Sequence, residues 1–292
     1  MNRQLFNPGH TACAGCGQSL GARLVLDASG PNTIVVNNTG CLEVFSTKYP
    51  ESAWGVPWIH SLFENGAAVA SGVEAALKYL GKKEAIHVIA QGGDGGTADI
   101  GLQALSGMFE RGHDILYVCY DNEAYMNTGI QRSGLTPFAS NTTTSPTGIQ
   151  SCGNPRPKKP LPEIANAHGI PYVATASVGF PQDVVRKVKK AFGFNGPKYI
   201  QLHVPCPLGW RHDPGLTIQI GKLAVETGLY PLFEYENGKL TGAKQIQPKP
   251  VEEYLKVQGR FKHLLNNPEE IKKIQAVADH NIEKYNLKVQ AS

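Results

Sequence analysis

The apolar positions of this chain switch between two periods, and the switches mark out its elements. Ala85-Ile86-His87-Val88-Ile89-Ala90 is a short apolar run that predicts a buried strand. Glycines follow at Gly92, Gly93, Gly95 and Gly96. Ile100, Ala104, Leu105, Met108 and Phe109 then fall at helical spacing, and Gly112 suits the end of that helix. Residues 115–120 predict a second strand, which runs into Asp121-Asn122-Glu123-Ala124-Tyr125. Upstream, a helix is expected from the 9–17 segment through Leu20, Leu24 and Leu26, then a strand over 33–37. Ala67, Ala70, Val73, Leu77 and Leu80 form one stripe of a helix over 63–80. Residues 134–162, rich in Thr, Ser, Pro and Gly, read as a long ordered loop of the kind that carries function. A strand–helix–strand unit spans 172–204, with its helix near 183–192 and its second strand over 199–204. After Pro214 the pattern breaks into short elements and a final helix near 268–285. The alternation predicts an α/β fold with a doubly wound, mostly parallel sheet. The main domain is expected over 1–213 and a C-terminal extension over 214–292.

The unit from Gly92 onward can hold an anion. Glycines let backbone N–H groups approach a phosphate, and the start of a helix favours negative charge. Asp94 in the turn and Asn122 after the next strand would face one crevice at the carboxyl end of a parallel sheet. A carboxylate, an amide oxygen and a backbone carbonyl are hard ligands, and with diphosphate oxygens and water they complete an octahedral magnesium shell. A dinucleotide turn needs a third glycine where Ala98 stands, and a P-loop needs a Gly-Lys-Ser/Thr that is absent. A purely structural Gly-rich turn with an Asp cap is the plain alternative. Gly93-Asp94-Gly95 with Asn122 fits the thiamine-diphosphate signature better, with 26 residues between them.

The cysteines extend this crevice. Cys13 and Cys16 form a Cys-x-x-Cys among small residues, and Cys41 and Cys206 each follow a predicted strand. Four thiols brought to the same sheet edge suit zinc or an iron–sulfur cluster. Cys119 lies in an apolar strand as a core thiol, and Cys152 has no evident partner. The formal charge of +4 makes no case for nucleic acid, and no binding motif adds one. The first residues carry no apolar signal core and no 18-residue apolar run exists, so a soluble, cytoplasmic chain without a membrane span is expected.

The chain resembles the β subunits of pyruvate:ferredoxin oxidoreductase, within the 2-oxoacid:ferredoxin oxidoreductases. The likeness rests on residues 10–17, Thr39-Gly40-Cys41, 93–106, 120–131, 142–146 and 204–207, and continues at 226–232 and 251–261. It implies a thiamine-diphosphate-binding domain with one 4Fe–4S cluster on Cys13, Cys16, Cys41 and Cys206. It implies magnesium on Asp94, Asn122 and the Ala124 carbonyl. Cofactor contacts would come from Gln18, Cys41, Gly93, Asp94, Gly95, Gly96, Asn122, Glu123, Ala124, Tyr125, Met126 and Asn127, with Asn127 nearest the reacting carbon. The reaction implied is oxidative decarboxylation of a 2-oxoacid, with electrons leaving through the cluster to ferredoxin and, for pyruvate, an acetyl group passing to coenzyme A. An α-type partner chain would supply the pyrimidine half of the site and its glutamate, and further cluster-bearing subunits would carry the electrons on. Glu64 is the nearest local glutamate and reads more simply as a first-turn helix acid.

One departure bears on substrate. Family members carry a Gly-Lys pair after the Thr-rich segment, where this chain has Gly148-Ile149. Oxalate, 2-oxoisovalerate and arylglyoxylate are therefore alternative substrates. A non-catalytic iron–sulfur or zinc scaffold subunit is the alternative of another class, and a cluster-free thiamine enzyme is a third. His10 and His60 read as polar loop residues, and Trp54 and Trp58 as packing at a subunit boundary. Arg186, Lys187, Lys189 and Lys190 form a basic helix edge, read as a solvated face rather than a ferredoxin or coenzyme A dock.

Overall fold

The computed structural model describes residues 4–48 and 50–289. Met1–Arg3, part of the segment read above for a leader, lie outside the described residues. Ten strands form, β1 (Thr33–Asn38), β2 (Trp58–Ser61), β3 (His87–Gly93), β4 (Leu116–Asp121), β5 (Thr147–Gly148), β6 (Ser151–Cys152), β7 (Tyr172–Ser177), β8 (Lys198–His203), β9 (Phe233–Glu236) and β10 (Lys239–Ala243). Eight of them make one sheet in the order β10-β9-β7-β8-β4-β3-β1-β2, and β5 and β6 pair by themselves. From β2 to β7 the sheet neighbours are all parallel, while β9 and β10 are antiparallel. This is the doubly wound, mostly parallel α/β sheet that the alternation implies.

Helices cover both faces. On one lie α1 (Gly17–Ser29) and α7 (Pro181–Ala191), and on the other α3 (Gly66–Tyr79), α5 (Leu102–Glu110) and α6 (Leu161–Ala167). The short α2 (Cys41–Ser46), α4 (Asp94–Ala98) and α8 (Pro207–Trp210) each follow a strand end. Strand β4 shows how the pleat divides the core. Leu116, Val118 and Tyr120 join the α1/α7 layer, and Tyr117 and Cys119 join the α3/α5 layer. Every residue of β4, β7 and β8 is buried, as covered parallel strands require.

Several expectations shift. The first helix begins at Gly17 rather than near Cys13, because Gly15 adopts a φ of 70° and the Cys13–Cys16 turn closes on itself. The helix expected through Ile100 is two helices, broken at Asp99, and Ile100 is exposed. Gly101 makes the corner: a Cβ there would come within 2.1 Å of the Gly96 carbonyl oxygen. Residues after 214 do more than scatter. The helices α9 (Thr217–Glu226), α10 (Glu252–Leu255) and α11 (Pro268–Lys284) build a third core with Ala139, Trp210 and β9, and β9 pairs with β7. Trp54 belongs to the interior of the α1/α7 layer, with Trp58 stacked beside it.

Three of the four basic residues of the α7 edge meet acidic partners within the chain, while Lys189 is solvent-exposed. Arg186 and Lys190 reach Glu234 of β9 at 2.6 and 2.8 Å, and Lys187 is buried against Asp183 at 2.7 Å. With the Tyr172 hydroxyl also donating, these hydrogen bonds overcome burial and hold the Glu234 carboxyl down at about 2. That contribution is fully present above the ordinary value of 4.5 and is lost as pH falls toward 2. Glu234→Gln should therefore cost about 1–2 kcal/mol near neutrality, between surface and buried ion-pair values. Thermal melts between pH 7 and 2.5 should show the gap to wild type closing below about pH 4.5; a gap independent of pH would show that the ion pairs contribute nothing.

Candidate active site

Strands β3 and β4 pair side by side, with Gly92 opposite Cys119 and Gly93 opposite Tyr120. Their carboxyl ends therefore open onto one crevice. β3 turns directly into α4, which carries Asp94 at its start, and β4 runs into the loop that carries Asn122 and Ala124. Gly95 allows a close approach that no side chain would tolerate. A Cβ there would lie 2.2 Å from the Tyr125 ring, whose hydroxyl donates to the Gly95 carbonyl at 3.2 Å.

Three polar groups meet at the base. Asn122 Oδ1, as oriented, stands 2.8 Å from both Asp94 Oδ1 and the Ala124 carbonyl oxygen, and Nδ2 faces Gln18 Oε1 at 3.5 Å. Rotating the amide would give two hydrogen bonds. The rotated amide satisfies these contacts without a cation, and a cation among the three oxygens would satisfy them in the unrotated orientation. Metal–oxygen bonds of 2.0–2.1 Å place neighbouring octahedral ligands about 2.9 Å apart, so these two spacings are compatible with two edges of a magnesium shell. Burial, reinforced by Asp121, pushes the Asp94 carboxyl well above its usual range, although Ser133 Oγ donates to it. A bound cation would reverse that balance.

Gln18, Thr39, Gly40, Cys41, Phe63, Gly93–Gly96, Asn122 and Ala124–Thr128 line a tight cavity of about 40 Å³. The structure thus brings together every residue that sequence reading placed at the cofactor except Glu123. That side chain turns away, with a φ of 69°, to ion pairs with Lys158 at 2.7 Å and Arg260 at 2.6 Å. Those two cations hold its carboxyl at about 2 against the cost of burial. Asn127 lies on the cavity wall. His60 stands one step out, 2.7 Å from Thr39 Oγ1, and His10 stacks on Phe6. Glu64 is half-buried just ahead of α3 and does not line the cavity.

The thiols gather beside this crevice. The turn of Cys13 and Cys16 is sealed by a Cys16 N–H to Cys13 carbonyl bond of 3.1 Å. It is tied to the β8 exit by the Gly17 N–H, which donates to Pro205 O at 3.1 Å. Cys206 starts α8 and accepts from the Gly209 N–H at 3.3 Å. Cys41 starts α2 and also lines the cavity. Burial, with the charge of the neighbouring thiols, pushes the Cys41 thiol up to about 12 and Cys206 up to about 11. Burial raises the Cys16 thiol as well. Among the described residues, no three His, Cys, Asp or Glu side chains already form an ion cage. Cys119 is buried in the opposite layer, and Cys152 packs with the C-terminal core, where its carbonyl meets His263. No helix among the described residues is long and apolar enough to cross a membrane.

Sequence reading missed the groups that hold the Asn122 loop from behind. Trp210 Nε1 donates to the Asn122 carbonyl at 2.8 Å, and Thr136 Oγ1 to the Glu123 carbonyl at 2.7 Å. Lys158 bridges Asp121 and Glu123, each at 2.7 Å. Only the Pro-Lys-Lys-Pro run at 157–160 hinted at them, as a stiff charged stretch in a long loop.

Comparison with known proteins places this geometry. The family model "Thiamine pyrophosphate enzyme, C-terminal TPP binding domain" matches residues 38–202. Pyruvate synthase subunit PorB of Methanosarcina barkeri is 62% identical over 283 residues, 96% of each chain. PorB of Methanocaldococcus jannaschii is 58% identical over 94% of each. Ketoisovalerate oxidoreductase subunit VorB of Pyrococcus abyssi is 53% identical over 91% of this chain and 88% of its own. Among solved structures, 2-oxoglutarate:ferredoxin oxidoreductase from Magnetococcus marinus matches with a TM-score of 0.58, covering 94% of this chain and 96% of that one. Its 21% identity makes that a likeness of fold.

Proposed function

The chain belongs to the thiamine-pyrophosphate enzymes and, within them, to the β subunits of 2-oxoacid:ferredoxin oxidoreductases, and we propose that its 2-oxoacid is pyruvate. The acceptor is coenzyme A, and the electrons leave through one 4Fe–4S cluster to ferredoxin, in the cytoplasm. The observation that carries this reading is the shared edge of two sites. Cys41 lines one cavity with Asp94, Asn122 and Ala124, and it lies close enough to Cys206, Cys16 and Cys13 to feel their charge. A two-electron oxidation delivered one electron at a time needs donor and cluster adjacent, and Cys41 belongs to both walls.

Bound thiamine diphosphate supplies the carbon nucleophile and electron sink, and the cluster the one-electron steps. The residues do the rest. Asp94, Asn122 and the Ala124 carbonyl would hold magnesium, and Gln18 with residues 93–96 and 124–127 would shape the wall of the cofactor site. An α-type partner supplies the pyrimidine half-site, and cluster-bearing subunits take the electrons onward. Residues 214–292 form an extension that also meets partner subunits. The methanogen PorB chains, 58–62% identical, stand above the VorB chains at 52–53% and support pyruvate, while the Pyrococcus PorB chains at 52–53% stand level with VorB.

The test is to assemble the complex anaerobically and assay ferredoxin reduction with pyruvate, 2-oxoisovalerate, oxalate and arylglyoxylates. Pyruvate should lead in kcat/KM; a branched or aromatic substrate ahead of it would overturn the assignment. Serine substitution of Cys13, Cys16, Cys41 or Cys206 should cut iron content and the reduced-cluster paramagnetic signal, while Cys119→Ser and Cys152→Ser keep both. A lost signal in Cys152→Ser with an intact one in Cys206→Ser would refute the ligand set.

A further inference from the structure

Glu123 stands between two residues that face the crevice, yet its own side chain points into the protein. Its left-handed backbone is a conformation that a non-glycine residue holds only where its surroundings over-determine it. Here two cations do so. Lys158 comes from the Pro-flanked stretch of the 134–162 loop. Arg260 comes from the C-terminal segment and lies over the Trp210 ring at 3.7 Å. Neither lysine nor arginine lines the crevice. Asp121, Glu123, Lys158 and Arg260 balance to zero charge, with both carboxylates and Arg260 buried. With Glu123 turned backward, the Asn122 amide faces Asp94 and the Ala124 carbonyl, each at 2.8 Å.

We infer that Glu123 and Lys158, with Arg260, are positioning residues that set magnesium affinity from behind the site, by fixing the turn on which two of its three protein oxygens ride. This rests on the magnesium reading above. It makes the proline-rich loop, where this chain departs from the family pattern, a support for the metal rather than a wall of the substrate pocket. Releasing Glu123 lets the turn relax toward an ordinary backbone, which swings the Ala124 carbonyl off the metal.

The test uses the assembled complex and equilibrium dialysis of labelled thiamine diphosphate over a magnesium series. Lys158→Met and the isosteric Glu123→Gln should each raise the half-saturating magnesium concentration about 10–100-fold, the usual cost of losing a group that orients a metal ligand. The plateau of bound thiamine diphosphate at high magnesium should match wild type, because a misplaced ligand is compensated by more metal and a damaged fold is not. An unchanged midpoint, or a lowered plateau that magnesium fails to restore, would overturn the inference. If Lys158→Met does not assemble, Glu123→Gln decides alone. Wild-type binding that ignores magnesium would bring down the metal reading and this inference together. A normal wild-type response with unshifted variants removes the inference only.

Discussion

Asp94→Ala should lose magnesium-dependent thiamine diphosphate binding by about 100-fold or more, roughly 3 kcal/mol, while the chain still folds. The carboxylate is buried, and Asp121 raises the cost of its charge. Without a cation this is a liability of the folded state, so removing it costs the empty protein little. With a cation it is the sole formal negative charge among the three converging oxygens. Asp94→Asn separates charge from volume. The empty Asn variant should melt at or above the wild-type temperature, yet gain none of the stabilisation that magnesium and thiamine diphosphate give wild type by mass action. Both variants are read by thermal melts with and without the pair, and by dialysis. Normal cofactor occupancy in purified Asp94→Ala would remove Asp94 from the metal site.

The chain on its own should oxidise 2-oxoacids at least about 100-fold more slowly than the assembled complex, the low end of what one positioned acid–base group contributes. Among the described residues lining the crevice, Asp94 is the only carboxylate, and it faces the metal position. No glutamate is there to meet an aminopyrimidine. The apolar side chains of Val44, Ile59 and Leu62 stand exposed near the rim, on α2 and around β2, the edge strand of the sheet. A covering partner explains such exposure. The measurement is 2-oxoacid-dependent dye reduction by the lone chain, purified anaerobically with iron, magnesium and thiamine diphosphate supplied. It is then repeated after coexpression with the chain carrying the pyrimidine lobe. Equal turnover in both would mean that Glu64 or another local residue completes the site.

What could be read from the chain was local. The strand, glycine turn and second strand follow from apolar runs of fixed period, and Asp94 and Asn122 from their spacing across one crossover. The tight turns at Gly95 and Gly101 are local in the chain, yet the cause at Gly95 is remote and the one at Gly101 is a backbone clash that periodicity does not register. Gly95 answers to Tyr125, and the corner at Gly101 splits a helix that periodicity alone runs together. Glu123 was placed at the cofactor because both its neighbours belong there. Only the positive φ, with Lys158 and Arg260 far along the chain, shows where its side chain goes. The basic edge of α7 has the same lesson: Asp183 lies within one helical turn, but Glu234 is on a strand that the pattern after Pro214 did not reveal. Side chains whose partners lie 35 to 137 residues away leave no periodic trace.

The order of strands also dictates a schedule during synthesis. A ribosome that has released residues 1–128 has delivered β1 to β4, Asp94 and Asn122, but β4 still lacks its other neighbour, β8, which spans Lys198–His203. Domains emerge and fold from the N-terminus, yet the Cys13 turn waits for Pro205 to seal it, and Glu123 waits for Arg260. A nascent or prematurely terminated chain therefore offers thiols and a carboxylate without the scaffold that gathers them. The crevice and the thiol turn reach their final geometry late, with the last third of the polypeptide.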